Sequence, residues 1–407
     1  MKLGSLFDGS GTCPLAARMC GIEPVWASEI EPYPIRVTQK NFPGMRHLGD
    51  IKQIDGAKIE PVDVITFGSP CQDLSTAGKQ RGLIDGERSS LFFEAIRIIR
   101  EMRAATDGKY PRYAVWENVP GAFGSNRGRD FLAVLRAFAD IAGDGNDVPA
   151  PTGKGDRLGW SKSGCIMGDG YSIAWRQLDA QYWGVPQRRK RIYLVADFGG
   201  GRAEEILFER EGLRGDFAQG AVARERAAAD AAGSAGGSGD AERLIYALQG
   251  NGIDRAETAG CNDRGWREDV CYTLNTIDRP AVCFPRVART LTAEADASFC
   301  IDRGQNVVCY EARGNGDGTH CPTLICNHEQ PISAYGGRPP RKYILRRLTP
   351  LECCRLQGFP DDWTAGVEGS DSAQYKMWGN GMALPCVLYV MQGIAEAGGE
   401  SSANPDD

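Results

Sequence analysis

The sequence predicts an α/β protein built on a doubly wound, mostly parallel sheet, with a smaller, irregular β-rich domain set into it. Three observations carry that expectation. Apolar, β-branched runs alternate with helical stretches between Lys2 and Asp197, the pattern of strands buried beneath crossover helices. The chain opens with a strand, a glycine turn and a helix, which suits a nucleotide-like ligand approaching the backbone at a helix N-terminus. From Leu244 to about Tyr335 the helical period is lost, and short β segments lie between Gly, Asn and Asp turns. At 407 residues the chain exceeds one ordinary compact domain.

In chain order, Lys2 to Leu6 reads as the first strand, Phe7-Asp8-Gly9-Ser10-Gly11-Thr12 as the turn, and the stretch to Met19 as helix. The dinucleotide fingerprint is absent, because its third glycine would fall at Pro14. The next strand, Val25 to Ser28, ends on Glu29, where a carboxylate can accept both hydroxyls of a ribose. Val62 to Phe67 has the length and branching of a buried parallel strand and runs into Gly68-Ser69-Pro70-Cys71-Gln72-Asp73-Leu74-Ser75. Tyr113 to Trp116 delivers Glu117 to the same sheet edge, Phe131 to Ile141 reads as helix, and Tyr171–Trp175 and Arg191–Ala196 complete the expected strands.

Beyond Asp197 an Ala/Gly-rich stretch, 219–240, reads as a linker. A loose repeat follows, Tyr272-Thr273-Leu274, Arg289-Thr290-Leu291 and Pro322-Thr323-Leu324, with Pro280-Ala281-Val282, Asn306-Val307-Val308 and Pro331-Ile332 nearby. Regularity returns at Arg346, where Thr349-Pro350-Leu351-Glu352 is a capping box with Pro at the first helical position. The expected division is 1–198, 199–345 and 346–398, with a disordered tail from 399 to 407.

Pro70-Cys71-Gln72 after one strand, Glu117-Asn118-Val119 after another, and Gln187-Arg188-Arg189-Lys190-Arg191 later resemble the DNA cytosine-5 methyltransferase family. Arg346 to Glu352 with Leu356-Gln357-Gly358-Phe359-Pro360, and Gly379-Asn380 near the end, extend the likeness. Gly381 and Met382 depart from it, since the family has Ser and Val there. The resemblance implies a Rossmann-like methyltransferase with S-adenosylmethionine as methyl donor. It places that cofactor on Phe7, Gly9, Gly11 and Ile30, with Glu29 at the ribose, Asp50 and Ile51 at the adenine, and Pro70 and Asn380 beside them. It also implies that 199–345 recognises the target in double-stranded DNA.

Cytosine C5 is a poor nucleophile until a thiolate adds at C6, which makes C5 an enamine carbon able to attack a sulfonium methyl. Cys71 is the candidate nucleophile, with following backbone N–H groups and nearby Arg side chains favouring thiolate. Glu117 is the candidate proton donor to N3, if burial raises its pKa. Arg189 and Arg191 are expected beside the ring, Arg191 at the cytosine carbonyl by resemblance. Gln72, Ser75, Arg88, Asn118 and Gln187 are the further substrate-side candidates, Gln187 as a loop support by resemblance. The target base must flip out of the duplex, and the Cys71–Arg88 loop is long enough to close over it.

A formal charge of −6 argues mildly against nucleic acid, but local charge matters more. Residues 187–191 hold four basic groups, and 338–347 hold five with no acid. Together, and with Arg341 and Lys342 singled out, they are expected to form a phosphate-binding rim. No apolar run reaches membrane-spanning length and no signal peptide is visible, so a cytoplasmic monomer without membrane contact is expected, any partner restriction endonuclease acting independently. The fourteen Cys are read as reduced thiols. His320-Cys321 and Cys326-x-His328 are off the usual zinc spacings, so no metal is expected. Two rival enzymes are a nicotinamide-dependent dehydrogenase, opposed by the missing glycine, and a tRNA cytosine-5 methyltransferase, which shares the catalytic motifs.

Overall fold

The computed structural model describes residues 1–69, 89–143, 148–153, 155, 158–208, 271 and 348–399, with backbone alone at 89 and 90 and in short strands between 246 and 347. The alternation seen in the sequence becomes an eight-stranded sheet in the order β3-β2-β1-β4-β5-β8-β7-β6. These strands are β1 (Lys2–Leu6), β2 (Glu23–Ser28), β3 (Arg46–His47), β4 (Val64–Phe67), β5 (Tyr113–Asn118), β6 (Ser163–Gly168), β7 (Tyr171–Asp179) and β8 (Lys190–Asp197). From β3 to β5 the pairing is parallel, whereas β8, β7 and β6 are antiparallel to their neighbours.

Strand order reverses between β1 and β4, since β2 and β3 lie on one side of β1 and β4 and β5 on the other. That is where open α/β sheets bind ligands, in the crevice beyond the strand C-termini. The antiparallel course of β8 matters too: Glu117 pairs with Tyr193 and Asn118 with Ile192, so the basic stretch entering β8 arrives at the same edge as Glu117.

Two apolar cores lie on either face, as a fully buried parallel sheet requires. One packs α1 (Thr12–Met19), α2 (Pro32–Asn41), α5 (Ala203–Leu207) and the C-terminal helices, through Ala16, Val37, Ile206 and Ile394. The other packs α3 (Ser89–Ala105) and α4 (Arg129–Ile141), through Ile96, Ile99, Phe131 and Phe138. Gly4 of β1 is required by the first strand pair, because a Cβ there would stand 2.2 Å from the Trp26 ring.

The C-terminal segment returns to the first core as α6 (Pro350–Leu356), α7 (Asp371–Asn380) and α8 (Leu384–Gly399). The expected capping box is present: Glu352 N–H donates to Thr349 Oγ1 at 3.2 Å, and Thr349 N–H to Glu352 Oε2 at 2.7 Å. The expected boundary at 198/199 falls ahead of α5, whose Ala203, Ile206 and Leu207 are buried in the first core.

Within 199–345, the backbone forms a six-stranded sheet that continues to Arg347, in the order β10-β9-β11-β14-β13-β12. Its strands are β9 (Tyr246–Leu248), β10 (Trp266–Glu268), β11 (Ala281–Pro285), β12 (Asn306–Val308), β13 (Ile332–Tyr335) and β14 (Lys342–Arg347), all antiparallel to their neighbours. Three expected segments fall on or beside β11, β12 and β13. The three Thr-Leu repeats, the 219–240 stretch, His320, Cys321, Cys326, His328 and the 400–407 tail lie outside the described residues. A parallel bridge between Gln187 and Cys271 ties this region to the first sheet. No helix among the described residues is long and apolar enough to cross a membrane.

Candidate active site

The crevice at the switch point is a cavity of about 500 Å³. One end is formed by the turn after β1 and the end of β2. Phe7 and Gly9 hold left-handed backbone at φ 54° each, which for Phe7 is an uncommon conformation that the surrounding fold must enforce. Glu29 is fixed by three backbone donors: Gly9 N–H at 2.9 Å to one oxygen, and Ile30 and Glu31 N–H at 2.7 and 2.9 Å to the other. Each carboxylate oxygen keeps acceptor capacity, so hydroxyl donors can still be bound. Ile30, 67% exposed, and Ile51 add apolar walls, and Asp50 lines the cavity while one oxygen caps Lys52 N–H at 3.0 Å.

Gly11 stands behind the cavity wall formed by Gly9 and Thr12. It caps α1 at φ 78°, and a Cβ there would meet Thr38 Cγ2 at 2.8 Å. Its service is to the bend and to packing beneath the turn.

At the other end stands Glu117. Its side chain is 13% exposed and pairs with Arg191, Nε to Oε1 at 3.0 Å. Burial raises its carboxyl pKa above the ordinary value, with Arg191 and Arg189 opposing the shift. Close approach makes Gly68 necessary here: an added Cβ would lie 2.7 Å from Met382 Cε and 3.1 Å from Glu117 Oε2.

Arg189 also lines the cavity, but its guanidinium is engaged elsewhere. Nη2 donates to the carbonyls of Gly379 and Gly381 at 3.0 and 2.6 Å, and its backbone N–H donates to Asp179 Oδ1 at 3.0 Å. Burial and the neighbouring Arg191 push its pKa down to about 9, so it is still a cation at neutral pH. Arg189 therefore positions the loop that carries Asn380 and Met382, both of which line the cavity.

Gln187 is fully buried and donates through Nε2 to the Leu356 carbonyl at 2.9 Å, so it braces the start of β8 against α6. Asn118 is 2% exposed; its Oδ1 accepts Val119 N–H at 2.7 Å while its Nδ2 has no hydrogen-bond partner among the described residues. Pro70, Cys71, Gln72, Ser75, Arg88 and Arg341 lie outside the described residues, and Lys342 is described only as backbone at the start of β14. Wall residues not assigned to the site from the sequence include Asp8, Lys376 and Met382. Asp8 sits inside the glycine turn, Lys376 reaches in from α7 to pair with Glu31 at 2.6 Å, and Met382 faces Gly68. For Asp8 the available signal was a carboxylate directly after the strand; Lys376 and Met382 come from α7 and the loop after it, which only the tertiary fold brings here.

Residues 1–142 and 289–396 match the family described as C-5 cytosine-specific DNA methylase, and the chain belongs to it. Among curated proteins, the type II methyltransferase M.HhaI of Haemophilus parahaemolyticus is 25% identical, over 98% of this chain and 95% of its own. The type II methyltransferase M.NlaX of Neisseria lactamica is 28% identical, over 97% and 96%. A protein of Escherichia phage P1 described as a DNA N-6-adenine-methyltransferase is 29% identical over 97% of this chain, which spans 61% of that relative. The S. pombe Dnmt2 methyltransferase structure superposes with a TM-score of 0.52 at 14% identity, covering 98% of this chain and 99% of its own, a likeness of fold.

The methyl donor of this family is S-adenosylmethionine, and the residues present fit it. Glu29 offers acceptors for the ribose, Ile30 and Ile51 offer faces for the adenine, and Asp8 Oδ2 is an enclosed acceptor with no donor among the described residues.

Proposed function

We propose that this chain methylates C5 of a cytosine flipped out of double-stranded DNA, through a transient bond between Cys71 and cytosine C6. The observation that carries the reading is Glu117: a strand-end carboxyl, raised by burial, held by Arg191 and facing the cofactor cavity. S-adenosylmethionine, when bound, supplies an electrophilic methyl group. The chain's own residues supply the rest. Cys71 thiolate forms the S–C6 bond, the displaced C5=C6 pair becomes the C4=C5 bond of an enamine, and the C4=N3 pair takes the proton that Glu117 donates at N3. Arg191 holds the Glu117 carboxyl in place and offers its remaining N–H groups to the base carbonyl. Once C5 carries the methyl group, loss of its proton restores the ring double bond and expels the Cys71 thiolate.

Two features support cytosine C5 over the adenine amino group named for the phage P1 relative. An exocyclic amine needs neither a thiol adduct nor a ring-nitrogen acid, and this chain has candidates for both. The family description supports DNA over tRNA. Residues 199–345 are assigned to reading base edges, and the basic runs at 187–191 and 338–347 to the phosphates, apart from the buried Gln187 and Arg189 and the Glu117-paired Arg191.

The test is trapping. Duplex DNA carrying 5-fluorocytosine at the target cannot lose its C5 substituent, so it should form a denaturant-stable complex with the intact chain, and Cys71→Ala should abolish both complex and methylation. Mapping methylated bases in exposed DNA, with tRNA as a parallel substrate, separates the readings. Methylation by the Cys71→Ala variant, or product only on adenine or tRNA, overturns the proposal.

A further inference from the structure

One carboxylate in the cavity has no part in the reaction described above. Asp8 follows β1 directly after the left-handed Phe7 and is 7% exposed. Its backbone is pinned, with N–H donating to the Ser28 carbonyl and its own carbonyl accepting from Gly11 N–H, each at 3.1 Å. Oδ1 accepts the Ser5 hydroxyl at 2.7 Å, whereas Oδ2 is enclosed with no partner among the described residues. A buried acceptor left without a donor is costly and uncommon. Asp8 lines the cavity, so a ligand can provide the donor.

Strand order indicates which part of the ligand that is. At the carboxyl edge, β2, β1, β4 and β5 stand side by side, about 4.8 Å apart. They lead into Glu29, Asp8, Gly68 and Glu117 in that order. With the ribose at Glu29 and the cytosine at Glu117, Asp8 stands beside the methionine arm that lies between them. That arm carries two cations. The sulfonium has no proton to donate, and the ammonium has three. We infer that Asp8 binds the ammonium of the cofactor's methionine arm and releases a proton when it does so. The inference rests on the placement of ribose and cytosine in the proposed function.

The charges around Asp8 favour this exchange. Glu29 faces it from the end of β2, Ser5 from β1 and Cys13 from α1; Glu117 lines the same cavity from β5, and the loop Gly379 to Met382 brings no charge. The cations of the cavity are engaged: Arg191 with Glu117, Arg189 with the Gly379 and Gly381 carbonyls, and Lys376 with Glu31. Burial, opposed by the Ser5 hydroxyl and reinforced by Glu29, holds the Asp8 carboxyl at about 7. Without a ligand it is therefore partly protonated at neutral pH. An ammonium beside Oδ2 favours the ionised form.

Calorimetry on the full chain tests this, using buffers of different ionisation enthalpy to count protons. S-adenosylhomocysteine keeps the ammonium and lacks the sulfonium, and 5′-methylthioadenosine lacks the whole arm. S-adenosylhomocysteine binding should release about half a proton at pH 7 and tighten by about tenfold from pH 6 to pH 8. Methylthioadenosine should show neither effect. Asp8→Asn should lose the proton release and weaken S-adenosylhomocysteine by about tenfold or more, with methylthioadenosine within about twofold. Ser5→Ala keeps the carboxyl but removes its hydroxyl donor, and should move the release to higher pH. Three results overturn the inference: wild-type binding of S-adenosylhomocysteine without proton release, unchanged affinity in Asp8→Asn, or equal weakening of both ligands. A wild-type chain that binds neither ligand overturns the functional proposal instead.

Discussion

Glu29 and Glu117 are both acids at strand ends, three strand spacings or about 14 Å apart across the sheet, yet the protein treats them in opposite ways. Three backbone N–H groups fix Glu29 and no cation pairs with it among the described residues. Main-chain donors hold a carboxylate ready as an acceptor, which suits a ribose. Glu117 is enclosed, receives one guanidinium, and has its carboxyl raised by burial. Its environment suits a group that must hold a proton and then give it up. The same side chain is thus an anchor at one end and a candidate acid at the other, and the difference comes from the amides and burial around each.

The strongest way to break this comparison is Glu117→Gln. The amide keeps the shape and cannot release a proton, so turnover should fall by roughly 10²–10⁴-fold while cofactor affinity stays within about twofold. In the wild type, activity should decline as pH rises through the raised Glu117 pKa, because the donor form is lost there. A variant that keeps near-normal turnover would assign the proton to another group.

Asp8 lies between the two acids and sharpens the contrast through stability. Its folded-state pKa is raised, so the stability present at low pH is lost as pH climbs from about 4 toward 7. The displacement from 3.8 to about 7 corresponds to on the order of 4 kcal/mol. Asp8→Asn has no such loss. Without cofactor, that variant should melt above the wild type at pH 8 and close to it at pH 4, by thermal denaturation.

Glu29→Gln should act at the anchor end alone. Its amide nitrogen would face backbone donors, and the ribose would lose a charged acceptor worth roughly 1.5–3 kcal/mol, or about 10–100-fold in cofactor affinity. The pH dependence of turnover should be unchanged. The smallest effect is expected from Gly68→Ala, whose Cβ presses on Met382 and Glu117. Turnover should fall by about tenfold through misplacement of the acid, and pairing it with Met382→Ala should recover part of the loss.

Much of the sheet could be read from the sequence because local preference and tertiary burial agree there. Lys2–Leu6 and Thr12–Met19 form the expected strand and helix, and β4, β5, β7 and β8 lie where apolar runs placed them. Expectation failed where one face is polar or the pattern is masked by charge. β6 alternates exposed and half-buried residues at the sheet edge, and β14 coincides with a basic run. In α7 the buried Met377, Trp378 and Gly379 are consecutive, which gives no helical period to detect.

For the site, the sequence by itself determined which acids end the strands, because a strand's end is a local event and the parallel order brings such ends to one edge. It also determined the glycine turn and the capping box, whose bonds span only a few residues. Tertiary structure alone decided what each polar group faces. Gln187 and Arg189 belong to one basic-looking stretch with Arg191, yet Gln187 braces α6, Arg189 holds the Gly379–Gly381 loop, and Arg191 pairs with Glu117. Those partners lie up to 192 residues away in the chain, and no local pattern encodes a contact whose other half is supplied by a distant loop.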